Sequence, residues 1–148
     1  MSNFPAWWSD TVTIYNRYED PLTNLITWNR TVLDGCFFKN TNNKVTVGQT
    51  VIETNDIIVR IPQKSNYREY ATWINLGNDR RVNYWTLHQG DIIVKGNVSD
   101  TINEYNSALN SNQLLAKYKA LGTCLVVNRF SDNSGIGRGL KHYRVVGE

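Results

Sequence analysis

Short apolar runs that alternate with polar residues, each closed by a turn signal, recur along this chain and limit what it can fold into. Thr11 to Tyr18 (TVTIYNRY) shows the pattern, with Val12, Ile14 and Tyr18 on one side and Thr13, Tyr15 and Arg17 on the other. Successive side chains of a strand point to opposite faces, so this period of two predicts a half-buried β-strand. Asp20-Pro21 turns the chain, because proline fixes its own φ and offers no donor. Asn24 to Phe38 predicts a second long strand, with Ile26, Trp28, Arg30 and Val32 on one face and a bulge or bend at Asp34-Gly35. Asn40 to Asn43 (NTNN) reads as a polar turn. Lys44 to Thr54 reads as a third strand with a bulge at Gly48, and Asp56 to Ile61 (DIIVRI) as a fourth, stopped by Pro62. Ile92 to Gly96, Cys124 to Phe130 and Leu140 to Val146 complete about seven strands, the last two joined by the glycine-rich hairpin Asp132 to Gly139.

Helical signals are fewer. Leu114, Leu115, Tyr118 and Leu121 share one face of a helix over 111–121, with Asn110 and Gln113 placed to cap its start and Gly122 its end. Thr101 and Glu104 stand at capping-box spacing and predict a further short helix. Residues 63–89 form a long polar and aromatic connection in which Tyr67, Tyr70, Trp73 and Ile74 fit a turn or two of helix, ended by Gly77-Asn78-Asp79. A connection of this length is usually functional or mobile; Tyr67 to Gln89 and Ser131 to Gly139 are expected as projecting loops that reach neighbours, and excising Asn78 to Tyr84 is expected to leave a folded domain. No internal repeat or linker interrupts residues 1–148. The fold expected is mainly β: one small antiparallel β-barrel domain with one packed α-helix.

The longest apolar stretch falls well short of the roughly 20 residues that cross a bilayer, so no membrane span is expected. Met1 to Asp10 has no basic segment followed by an apolar run, which argues against a secretory signal and for a cytoplasmic origin. Cys36 and Cys124 lie in separate predicted strands without a Cys or His at metal-ligand spacing, and are expected as buried thiols rather than a disulfide or a zinc site. The net charge of +3 is mildly basic and its cations are scattered, with small groupings at Arg80-Arg81 and Arg138 to Lys141.

Catalytic patterns are missing. His88 stands three residues before Asp91, but no Ser or Cys nucleophile sits in a motif that would use such a pair. Gly135 to Gly139 (GIGRG) lacks the Lys-Ser/Thr of a phosphate loop and the helix that should follow it. Neither an enzyme nor a cofactor is expected. Five Trp and eight Tyr instead supply the residue types that dominate protein interfaces. Trp7 and Trp8 precede the first strand as a barrel plug or a docking anchor. Arg80, Arg81, Tyr84 and Trp85 gather in the long connection and Arg138 in the glycine-rich loop, all as candidate partner contacts. Arginine beside aromatics also suits single-stranded bases, so a nucleic-acid-binding barrel is the alternative from another class.

Several stretches carry a family resemblance: Thr13 to Tyr18 (TIYNRY), Trp28 to Gly35 (WNRTVLDG), Leu87 to Gly96 (LHQGDIIVKG), Leu114 to Tyr118 (LLAKY), Ser131 to Asn133, and Lys141 to Gly147 (KHYRVVG). Through them the chain resembles a family of short virion proteins of tailed phages and prophages of Gram-positive bacteria, encoded among portal, capsid, connector and tail genes. Tyr143 stands where that family commonly has Trp. The resemblance implies a stopper-like head–tail connector in the virion neck, a head-completion ring that seals the DNA channel and docks the tail. A tail terminator or a portal-side adaptor ring is the nearest alternative. It implies a homo-oligomeric ring of about six or twelve copies, with portal or adaptor proteins, tail proteins and the genomic DNA in the lumen as partners.

Overall fold

The alternation at Thr11 to Tyr18 becomes strand β1 (Asp10–Glu19). The computed structural model describes residues 8–63, 66–105, 109–132 and 142–148, with the backbone alone for 41–46 and 52–56. Among the described residues the other strands are β2 (Ile26–Val47), β3 (Thr50–Pro62), β4 (Ile92–Lys95), β5 (Cys124–Asp132) and β6 (His142–Gly147); the helices are α1 (Tyr70–Trp73), α2 (Asn78–Arg81) and α3 (Ser111–Lys119). The six strands close a barrel in the order β1-β2-β3-β6-β5-β4, each neighbouring pair antiparallel. The expected small antiparallel β-barrel is therefore the fold.

Strand number and boundaries differ from expectation in one region. The chain does not turn at Asn40 to Asn43, and Thr54-Asn55 does not break it. Strand β2 runs straight through the first and β3 through the second, so two strands replace three. The turn falls at Gly48-Gln49 between Val47 and Thr50, where Gly48 has φ 64. A two-residue hairpin loop needs a primed turn, and glycine takes its first central position without strain.

The bulge expected at Asp34-Gly35 is present. Asp10 opposes Cys36 and Val12 opposes Leu33, so β2 carries one extra residue. There β2 also changes neighbour, since its pairing to β1 ends at Cys36 and its pairing to β3 begins at Phe37. A bulge bends its strand, and this one lets a single strand serve two sides of the barrel.

Two apolar layers result. Val12, Ile14, Ile93, Leu125, Val127, Val59, Ile61 and Val145 fill the barrel, while Tyr15, Ile92, Val94 and Cys124 pack outside it beneath Leu114 of α3. Both faces of β4 are thus covered, which explains the unbroken apolar run Ile92-Ile93-Val94. Helix α3 begins with the expected capping box: the Asn110 side chain accepts from Gln113 N and the Gln113 side chain from Asn110 N, both at 2.9 Å. It ends at Lys119, and Leu121 is exposed rather than packed. No helix forms at Thr101 to Glu104, because the Glu104 carboxylate is taken by the N-terminus of α3, accepting from Ser111 N at 2.6 Å and Ser111 Oγ at 3.1 Å. Both cysteines are buried free thiols, and burial pushes Cys124 up to about 11.

Gly147 sits tight against β5, where a Cβ would lie 2.1 Å from the Val126 carbonyl oxygen. Gly147→Ala must therefore push β5 from β6, and a loss of about 1–3 kcal/mol in urea unfolding is expected; unchanged stability would mean that the barrel is not closed at this seam.

Candidate functional site

Tyr67 to Gln89, expected to project, instead folds back into the barrel as part of a segment over 66–91. Tyr67 bridges Trp85 in parallel, with Arg68 N donating to Trp85 O at 2.9 Å and Trp85 N to Asn66 O at 3.1 Å. Trp85 and Leu87 are fully buried in the barrel core, with Tyr67 packed on them, and Trp73 is fully buried as well. Burial of one Trp is worth about 4–6 kcal/mol by area, so two of them decide where this polar-looking stretch goes. Trp85 is a core residue and not a contact candidate. Excising residues 78–84 would uncover Trp73 and Trp85, so the expectation of a folded remnant is withdrawn.

Arg81 is corrected on the same ground. It is 4% exposed, and its guanidinium lies 3.6 Å from the ring centroid of Tyr18. It donates to Asn78 Oδ1 at 2.6 Å, to the carbonyls of Trp73 and Ile74 at 3.3 and 3.2 Å, and to Leu76 O. The charge is met by carbonyls and a ring face, and it locks the end of α1 to α2 and to β1. Arg80, one residue away, is exposed. Tyr84 is half-buried under the Arg68 guanidinium at 4.3 Å. Trp8 is 8% exposed and packs against Phe37 and His142, at ring distances of 6.5 and 5.4 Å. Phe37 and His142 alternate with the interior residues of their strands, so Trp8 covers the outside of the barrel wall, neither plugging its end nor standing free. Trp7, Arg138 and the glycine-rich loop lie outside the described residues. The structure thus gives the candidates separate places: Arg81 braces α1 to Tyr18, Tyr84 lies under Arg68, Trp85 sits in the core beside Tyr67 and Tyr143, and Arg80 is on the surface.

A buried polar node joins the 66–91 segment to β1. The Asn16 side chain donates to Thr86 O at 2.7 Å and to Asp91 Oδ2 at 2.9 Å, and accepts from Thr86 N at 3.2 Å. Asp91 also accepts from Arg17 N at 3.0 Å and from His88 N at 2.9 Å. The His88 imidazole stacks on Tyr70 at 3.7 Å, so Asp91 takes the backbone of His88 rather than orienting its ring. Burial raises the Asp91 carboxyl to about 7, outweighing the three donors that pull it down. Among the described residues no group of His, Cys, Asp and Glu could hold a metal ion, and no helix is long and apolar enough to cross a membrane.

What the molecule offers outward is a projection and a groove. Strand β3 has its outermost contact with β6 at Ile57↔Gly147, beyond which, among the described residues, β2 and β3 pair only with each other, from Thr41↔Asp56 to Val47↔Thr50, seven pairs. At about 3.4 Å per residue this two-stranded arm reaches roughly 24 Å. Its tip exposes Val47 and Val51. The only signal in the sequence was the alternation around Gly48-Gln49, a Gly-X pair that suits a primed hairpin turn. The groove, of about 280 Å³, runs between the β1–β2 turn and α2, lined by Tyr18, Leu25, Thr27, Asn78, Arg81 and Val82 among others. The turn is held by Asp20, whose carboxylate accepts from Leu22 N at 2.8 Å and whose carbonyl accepts from Asn24 N at 2.8 Å. It presents Leu22, 92% exposed, beside Leu25 and Val82.

With this geometry established, the relationships of the chain can be stated. The model of a family of unknown function, DUF6751, matches residues 8–148. The chain belongs to this family. The match takes in all six strands, both short helices of the barrel-filling segment and α3, so the barrel, its plug and the arm lie within the DUF6751 region. No curated protein and no solved structure matches the chain.

Two outcomes follow for the brace and the node. Arg81→Ala leaves the α1 carbonyls and the Tyr18 face without their partner, and a loss of about 3 kcal/mol in chemical unfolding is expected; Arg81→Lys should recover little, because an ammonium lacks the planar fork. For Asp91, the folded protein holds the proton from the ordinary 3.8 up to about 7 while the unfolded chain releases it. The stability this group contributes is present below that range and lost as pH rises through it, by up to about 4 kcal/mol. Unfolding of the protein and of Asp91→Asn at both ends of the range should show their stability difference shifting against the native protein as pH rises.

Proposed function

We propose that this protein is a structural head–tail connector in the neck of a tailed phage, a stopper or head-completion ring, and that it performs no catalysis. The observation that carries the proposal is the arm: seven residue pairs of β2 and β3 whose backbones, among the described residues, pair only with each other, ending in the exposed Val47 and Val51. An isolated two-stranded ribbon is marginally stable in water, and its two strand edges are left unpaired. Such a projection is useful when a neighbour covers it. The rigid turn at Leu22 and the groove beside α2 give the same molecule a second, different surface. A ring needs two unlike surfaces that meet in a heterologous, closing contact. The family resemblance of the TIYNRY, WNRTVLDG and LHQGDIIVKG stretches supplies the setting: portal or adaptor proteins above, tail proteins below, and genomic DNA in the lumen. The protein is made in the host cytoplasm and works in the virion.

The single-strand-binding alternative loses its main support, since Trp85 is fully buried and Tyr84 lies under Arg68. A tail terminator and a portal-side adaptor share the arm-and-groove logic and differ in place.

The test replaces residues 43–54 by a two-residue turn in the phage that encodes the protein. The shortened chain should fold with a melting temperature close to that of the full one and should leave filled heads unjoined to tails. Normal particles from the shortened gene would sink the proposal. Imaging of intact particles locates the ring: a position at the end of the tail tube would select the terminator, and one directly on the portal the adaptor.

A further inference from the structure

One outer wall of the barrel carries cations in a regular arrangement. Alternation fixes which side chains face out. Val59, Ile61, Tyr143, Val145 and Phe38 belong to the interior cluster, so Arg60, Arg144, Phe37 and Lys39 point away from it. Phe130 opposes the inward Val145, so Arg129 and Ser131 also face out. The pairing register then sets these residues in two straight rows across β2, β3, β6 and β5. The first row is Phe37, Arg60, Arg144 and Ser131; the second is Lys39, Ile58, Val146 and Arg129. Four strands at about 4.8 Å spacing make a tile about 14 Å wide.

This tile holds four cations and no acid. Arg60 and Arg144 stand directly opposite each other, a like-charge pairing that destabilises a sheet. The Arg60 guanidinium lies 3.3 Å from His142 Nε2, a contact that supplies no negative charge. Among the described residues the ion pairs are Arg17–Glu19 and Lys117–Asp100, and neither involves a cation of the tile. Asp132 takes the other parity, opposite the inward Tyr143. Lys39 and Arg129 are exposed, Arg60 and Arg144 half-buried. A shallow depression of about 100 Å³ lies between Arg129, Ser131, Arg144 and Val146. Four cations spread over the outer side of four strands, beside Trp8 on Phe37 and the buried Val146, suit a run of phosphates better than a single small anion.

We infer that this tile binds the phosphate backbone of duplex DNA, with Arg60, Arg144, Arg129 and Lys39 as the phosphate contacts. Arginine meets phosphate with a planar fork of donors, and Ser131 adds a hydroxyl at the end of the first row. The negative charge of the duplex removes the repulsion that the tile carries alone. In the connector ring this wall faces the lumen, a placement that rests on the neck reading; the phosphate site itself does not.

The test uses the full chain and a fluorescently labelled duplex, followed by anisotropy. Four phosphate contacts predict that log K falls against log salt with a slope of about −3 to −4, so a tenfold rise from about 20 mM salt weakens binding by roughly 10³. Arg129→Gln, at an exposed position, should make the slope shallower by about 1. The triple variant Arg60→Gln/Arg129→Gln/Arg144→Gln should lose binding and melt no lower than the native chain, because repulsion within the tile is relieved. Absence of binding by the native chain at low salt, or a triple variant that binds as tightly, would overturn the site. A triple variant that keeps its DNA affinity yet fails to join heads to tails would place a protein on this wall instead. A protein absent from particles whose DNA binding still depends on the tile would remove the neck reading and leave the site standing.

Discussion

Asn16 sits where β1 meets the barrel-filling segment, and its amide binds both polar groups of the Thr86 backbone while reaching Asp91. Trp85 and Leu87 enter the barrel on either side of Thr86. The strands close the wall, but the strand side chains alone do not fill the interior, and this inserted segment completes it. A buried amide and carboxyl are costly to leave unpaired, so the node holds one register: Thr86 opposite Asn16, Asp91 across from Arg17. The indole of Trp85 and the ring of Tyr67 then fall beside Tyr143.

The other elements follow from that filled barrel. Strand β4 is covered on its inner side by the core and on its outer side by α3, which leaves it no surface to offer a partner. Arg81 braces α1 and α2 against Tyr18, turning the longest connection into a fixed wall of the groove. Surface is available in three places: the arm, the groove with its Leu22 turn, and the cationic wall of β2, β3, β6 and β5. The cationic wall runs into the base of the arm, since Lys39↔Ile58 and Thr41↔Asp56 belong to one continuous ladder.

Much of this architecture is legible from local chemistry. The period of two in TVTIYNRY, the Asp34-Gly35 bulge, the Asn110 and Gln113 cap and the two buried thiols are each decided within a few residues, and the chain obeys them. NTNN looks more polar than Gly48-Gln49, yet the chain turns at Gly48; composition is a weaker signal than the φ that a two-residue hairpin requires. The connection over 63–89 departs from its composition for a related reason. Its charged residues suggest solvent, yet Arg81 is consumed by carbonyls, and two indoles outweigh the polar residues around them. The cationic wall had no local signal at all. Lys39, Arg60, Arg129 and Arg144 are far apart in sequence, and only the register across four strands sets them side by side.

The partner exchange of β2 at its bulge has a mechanical consequence. The same strand that forms one side of the arm runs on without interruption into the β1 ladder. A load applied at the tip is carried along the strand axis and meets the cross-strand bonds of that ladder in shear, many at once, instead of peeling them singly. The protrusion is a cantilever rooted in the body rather than a tassel attached to it. Whatever grips Val47 and Val51 can pull on the whole barrel without first unravelling it.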